Sequence, residues 1–132
     1  MISTEKNEKI AVLDIETTAR KPHKGTIVEI GICELNLGDG SVKKLYDSVV
    51  REDDLEIRFE ARSLKRSWVF LNSDLRLEDV KKAPLLQEEA PKIQEILDKY
   101  SVTAYNSQFD FGFLENRGIK IKRKLRCPMK AA

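Results

Sequence analysis

The stretch Ile10-Ala11-Val12-Leu13-Asp14-Ile15-Glu16-Thr17-Thr18 decides how the rest of the chain is read. Its opening run of apolar residues is too brief for a buried helix and suits a strand covered on both faces. The run ends in two acids placed two residues apart. In an extended chain such residues project to the same side, so Asp14 and Glu16 can reach one hard cation together. The pair is weak evidence alone, because acids often end strands and cap turns.

Outward from this strand, the loop Lys21-Pro22-His23-Lys24-Gly25 leads into Thr26 to Leu35, which is rich in β-branched residues. Leu37-Gly38-Asp39-Gly40 then supplies the glycines of a tight turn, and Ser41 to Val50 returns as the hairpin partner. Three strands joined by short turns begin an antiparallel meander, with the first strand central. From Arg51 to Asn72 charges and apolar residues mix at no clean period, and the segment is read as helix and loop. Ser73 or Asp74 stands where it would cap a short helix through Lys82, which Pro84 terminates.

Ala90, Ile93, Ile96, Leu97 and Tyr100 recur at helical spacing and predict a helix covering the sheet, with Pro91 accommodated in its first turn. Val102 to Tyr105 follows as a short strand, Phe109 to Arg117 as a helix, and Gly118 as a left-handed stop. Ile119 to Leu125 alternates apolar and basic residues, the pattern of an edge strand. The order predicts an α/β fold: a mixed five-stranded sheet, three antiparallel strands and then two parallel ones, flanked by helices. Residues 1–132 read as a single domain without an internal repeat or a linker.

At 41% apolar and 35% charged residues, the chain is too apolar for disorder and supports a packed core. It lacks an apolar run long enough to span a bilayer and opens without a signal-peptide pattern, so a cytoplasmic protein is expected. Cys33 and Cys127 form no C-x-x-C pair and take no metal or catalytic role. The net charge of +2 says little about partners. Its distribution says more: Arg117, Lys120, Lys122, Arg123, Lys124, Arg126 and Lys130 form a run without an acid, suited either to phosphates or to a lysine-guarded strand edge.

A second constellation lies at Asn106-Ser107-Gln108-Phe109-Asp110-Phe111-Gly112-Phe113-Leu114, where a strand runs into a helix. Helical spacing puts Asp110 on the side of Phe113, Leu114 and Arg117, so a carboxylate stands on a largely apolar stripe and needs a partner. The bland alternative is an acid complementing a helix N-terminus beside core phenylalanines.

Together these residues carry a family resemblance. Asp14-Ile15-Glu16-Thr17-Thr18 resembles the first motif, D-x-E-T-T-G, of the DnaQ-like, DEDD-type 3′-to-5′ exonucleases of the ribonuclease H-like superfamily. Val28-Glu29-Ile30-Gly31 resembles that family's second strand, and Asn106-Ser107-Gln108-Phe109-Asp110 its N-x-x-F-D motif. The resemblance implies hydrolysis of phosphodiester bonds at nucleic-acid 3′ ends, DNA or RNA, with two Mg²⁺ or Mn²⁺ ions held by carboxylates. By position, Asp14, Glu16 and Asp110 are then the catalytic metal ligands. Thr17 and Thr18 approach the terminal nucleotide, Asn106 orients the site, and Phe109 is core support or a wall near the base.

Two departures stand out. Ala19 replaces the glycine of the first motif, which is tolerable if its φ stays negative. The third motif, H-x-A-x-x-D or Y-x-x-x-D, belongs after the fifth strand, where this sequence reads Lys130-Ala131-Ala132. The expectation is a C-terminally truncated domain without the fourth acid and the general base, inactive or impaired in this form. His23, in the loop after the first motif, reads as an exposed imidazole rather than a replacement base. The alternatives are a non-catalytic nucleic-acid-binding or scaffolding domain with the same fold and, last, a phosphatase-like reading of Asp14-x-Glu16-x-Thr18.

Overall fold

A computed structural model describes residues 8–53 and 68–125. Strands β1 (Lys9–Thr17), β2 (Ile27–Asn36) and β3 (Val42–Val49) form the antiparallel meander, and β4 (Val102–Ala104) pairs parallel to β1, giving the sheet order β3-β2-β1-β4. Helices α1 (Trp68–Asn72), α2 (Leu77–Lys81) and α3 (Leu86–Asp98) precede β4, and α4 (Ser107–Asn116) follows it. The β2–β3 turn closes on Gly40, whose φ of +75° a side chain would strain. No helix among the described residues is long and apolar enough to cross a membrane.

Register explains why one face of β1 is core and the other carries acids. Leu13 stands opposite Ile32 and Ile15 opposite Ile30, whereas Asp14 stands opposite Gly31 and Glu16 opposite Glu29. Partners in an antiparallel pair share a face, so the isoleucines and leucine make one apolar surface. Ile93 and Leu97 of α3 and Phe113 and Leu114 of α4 pack on it, all fully buried. Truncating a side chain such as Phe113 would cost about 3–5 kcal/mol. A second cluster, Val28, Val69, Leu77 and Val80, joins α1 and α2 to the sheet.

The sheet has four strands, not five. Residues 119–125 run beside β4 but share with it a single parallel bridge, Val102 with Lys124, made by Val102 N–H to Arg123 O (2.8 Å) and Leu125 N–H to Val102 O (2.8 Å). Two causes are visible. β4 offers only three residues as an edge. The side-chain amide of Gln94 also takes both main-chain groups of Lys120, each at 2.8 Å, so these cannot enter a ladder.

Two other expectations need correction. Helix α3 begins at Leu86, a turn earlier than its apolar spacing indicates, so Pro91 lies inside it rather than in its first turn. Pro91 and Gln87 are both exposed, and water can serve the carbonyl that the proline leaves unpaired. Neither Ser73 nor Asp74 caps α2, whose N-cap is Arg76. Ser73 instead closes the preceding helix, its hydroxyl donating to Val69 O at 2.6 Å. Gly118 does stop α4 in the left-handed region, with φ +84°. Of the Arg51–Asn72 reading, residues 54–67 lie outside the described residues, as do Cys127, Arg126 and Lys130.

Candidate active site

β1 outruns β4: the parallel pairing ends at Leu13 with Ala104, leaving the Ile15 N–H without a strand partner. Asp110, in the first turn of α4, fills that place, with Oδ2 accepting the Ile15 N–H at 3.3 Å. Asp110 is only 5% exposed, since the helix that carries it packs through Phe111, Phe113 and Leu114 into the core. Two motifs about ninety residues apart thus meet where β1 ends.

The acids there feel one another. Asp110 is pushed up to about 7, chiefly by burial and then by the charge of Asp14 and, less, Glu16; the Ile15 N–H opposes the rise. A helix N-terminus favours an anion by about 0.3–1 kcal/mol, too little to offset such desolvation. Burial also raises Asp14, although its side chain reaches solvent. Glu16 is raised by burial, then by Asp14 and Glu29, and Glu29 by burial, then by Asp47 and Asp14. Among the described residues no group of three or more Asp, Glu, His or Cys is gathered so as to hold a metal ion. The donor chemistry does fit one: the acids offer only oxygens, and a hard divalent cation would relieve their repulsion.

Beside the acids opens a cleft of about 540 Å³ lined by Ile15, the segment Glu16 to Arg20, Asn106 and Phe109. Thr17 donates its hydroxyl to Ala19 O at 2.7 Å and keeps acceptor capacity. Thr18 accepts the Thr26 N–H at 2.9 Å and keeps a proton to donate. Asn106 is the N-cap of α4, but its side chain makes no cap bond. Ala19 sits without a positive φ, so the departure from glycine carries no backbone strain. His23 is exposed and lies outside the cleft lining.

Arg20 and Glu52 carry no signal in the sequence pattern, and the place of Arg117 differs from the one its basic run indicates. Arg20 lines the cleft and has no ion pair or hydrogen bond among the described residues. Glu52 and Arg117 form a nearly buried pair, Nε to Oε1 at 2.9 Å, with side chains 12% and 9% exposed. Arg117, one of the basic run suited either to phosphates or to a strand edge, is instead taken up by this pair. Its guanidinium donates to both Glu52 oxygens, Pro22 O, Gly25 O and Asn116 Oδ1, which uses all of its N–H groups. Sequence held only a faint sign of it, an arginine in line with Asp110 and Phe113. Further along the run, Lys122 pairs with Asp98 (3.5 Å) and Lys124 with Glu115 (2.8 Å), exposed pairs of small energy.

Comparison with known proteins agrees with this architecture. The RNase_T family model, described as Exonuclease, matches residues 11–130, and the chain belongs to this exonuclease family. No curated protein sequence matches the chain. Among solved structures it is similar to a 3′-exonuclease in 3′-end-specific recognition of a histone mRNA stem-loop, at 14% identity and TM-score 0.60, covering 87% of this chain and 55% of that one. It is likewise similar to product-bound exonuclease I, at 14% identity and TM-score 0.63, covering 83% of this chain and 25% of that one. E. coli exonuclease I in complex with a dA16 oligonucleotide gives 13% identity and TM-score 0.64, covering 83% and 23%. The chain therefore spans about half the length of the first and about a quarter of the others. At these identities the likeness speaks for the fold.

Proposed function

We propose that this chain is a 3′-to-5′ exonuclease domain that hydrolyses phosphodiester bonds at the 3′ ends of DNA or RNA, with Asp14, Glu16 and Asp110 holding two divalent ions. The observation that carries the reading is the meeting of the two motifs: a helix-borne acid bonded to the strand that bears the other two, beside a cleft. The raised carboxylates support it: burial first and then mutual repulsion hold them up, and a cation would relieve the repulsion. The stem-loop and oligonucleotide complexes of the similar proteins support a nucleic acid as substrate.

Bound Mg²⁺ or Mn²⁺ would polarise the phosphate, activate a water and stabilise the leaving oxygen. The chain's own residues do the seating. Phe109 and Ile15 give the cleft apolar surface for a sugar or base, Thr18 and Asn106 offer polar contacts to a terminal nucleotide, and Arg20 offers a cation to phosphate. Asp110, held by Ile15, ties this wall to the carboxylates. Among the described residues three acids come together at the strand end and no group is placed as general base, so slow turnover is expected of this chain by itself.

A 5′-labelled single strand incubated with Mn²⁺ tests the reading. Shortening from the 3′ end that Asp14→Asn removes supports it. Binding without any metal-dependent shortening, even in a chain extended through the third motif, would instead favour a binding domain.

A further inference from the structure

We infer that Glu52 and Arg117 are positioning residues for the cleft, fixing its two walls relative to each other; the inference rests on reading the cleft as a nucleotide site. One wall is the segment Thr17-Thr18-Ala19-Arg20, and the other is Phe109 and Asn106 at the start of α4. The loop that follows the first wall is tied down by the pair. Arg117 donates to Pro22 O at 2.7 Å and to Gly25 O at 2.8 Å. Glu52 Oε2 accepts from Thr26 Oγ1 at 2.9 Å and from Ile27 N–H at 2.7 Å. Thr26 in turn exchanges two hydrogen bonds with Thr18, giving its N–H to Thr18 Oγ1 and accepting the Thr18 N–H at 3.0 Å.

The same guanidinium reaches the second wall through rings. It lies over Phe113, 5.0 Å from the centroid, and Phe113 packs against Phe109 at 5.1 Å. One rigid fork is therefore linked to both surfaces between which a nucleotide would sit, to one through Phe113 and to the other through Glu52 and Thr26. The loop has no slack to absorb a change: a Cβ on Gly25 would stand 2.7 Å from Ala19 O. A buried ion pair adds little net stability over well-packed apolar groups, so what this one contributes is geometry. Lysine would keep the charge but not the planar fork that bonds Glu52 and two carbonyls together.

Arg117→Lys, Glu52→Gln and Gly25→Ala test this from three directions, with Ile93→Val as a core control remote from the loop. The probe is deoxythymidine 5′-monophosphate with Mg²⁺, titrated while the amide NMR signals of Thr17 to Arg20 are followed. We expect each of the three variants to bind about ten- to a hundredfold more weakly, as displaced contacts do, and the control to bind as wild type. Variants that melt lower yet bind with wild-type affinity would reduce the pair to a structural strut and overturn the inference alone. A wild-type chain whose signals do not move overturns the cleft reading and the inference with it. Should Arg117→Lys fail to fold, Glu52→Gln and Gly25→Ala carry the same comparison.

Discussion

Asp110 Oδ2 and the Ile15 main-chain N–H stand 3.3 Å apart, which fixes a buried, helix-borne acid to the end of the central strand. The position has a consequence for stability. Asp110 is pushed up to about 7 in the folded chain, from 3.8, so between those values the unfolded chain releases a proton that the folded chain retains. Stability then falls as pH rises from about 4 to about 7 and levels off above it, by at most a few kcal/mol. Asp110→Asn keeps an oxygen for the Ile15 N–H and removes the ionisation. We expect it to raise the melting temperature at pH 8 and to flatten the fall between pH 4 and 7; an unchanged pH profile would refute the assignment.

Repulsion among the acids at this strand end also predicts stabilisation by metal. Tenfold excess of Mn²⁺ over its Kd should contribute about 1.4 kcal/mol, a rise of roughly 3–8 °C in melting temperature. Protons compete for the same oxygens, so the rise should be larger at pH 8 than at pH 6. Asp14→Asn should abolish most of it. Equal rises in wild type and variant would place the metal elsewhere.

Much of this was legible in the sequence because it depends on local pattern. The β-branched run of Thr26 to Leu35, the glycines of the following turn and Gly118 each announce an element through backbone chemistry alone, and each is present. The pairing of Asp110 with Ile15 was not legible, because it depends on β4 ending short of β1. Neither was the fate of Ile119 to Leu125, whose alternation is that of a strand but whose main-chain groups are claimed by Gln94 from another element. Glu52 and Arg117 were missed for the same reason: a buried pair separated by 65 residues leaves no periodic trace, and its arginine sits in a run that reads as a basic surface.

Arg20 rather than the run after Gly118 should dominate the electrostatics of nucleic-acid binding. It lines the cleft and has no partner among the described residues, whereas Lys122 and Lys124 are already paired. Removing one phosphate contact lowers the slope of log affinity against log salt by about 1. We expect Arg20→Ala to do so on a labelled single strand, with a smaller change in a Lys122→Ala, Arg123→Ala, Lys124→Ala chain. The reverse order would return the basic run to the substrate path.

The last prediction concerns turnover. The 132 residues should shorten a 5′-labelled single strand very slowly in Mg²⁺ or Mn²⁺, and a chain extended through an H-x-A-x-x-D or Y-x-x-x-D helix should do so efficiently. Three acids bind a hard ion more weakly than four, and a missing general base forfeits a further factor of about 10² to 10⁴. These losses multiply, because occupancy of the metal and activation of the water are separate requirements. Metal binding itself should survive in the short chain: Asp14 and Glu16 ride on the central strand, and Asp110 is held by Ile15 and by a helix packed through Phe113 and Leu114. The measurement is initial rate over enzyme concentration for both chains, each with its Asp14→Asn control to expose contaminating nuclease. Comparable rates in the two chains, both abolished by Asp14→Asn, would show that a group within these 132 residues supplies the base, and the account of slow turnover would be wrong.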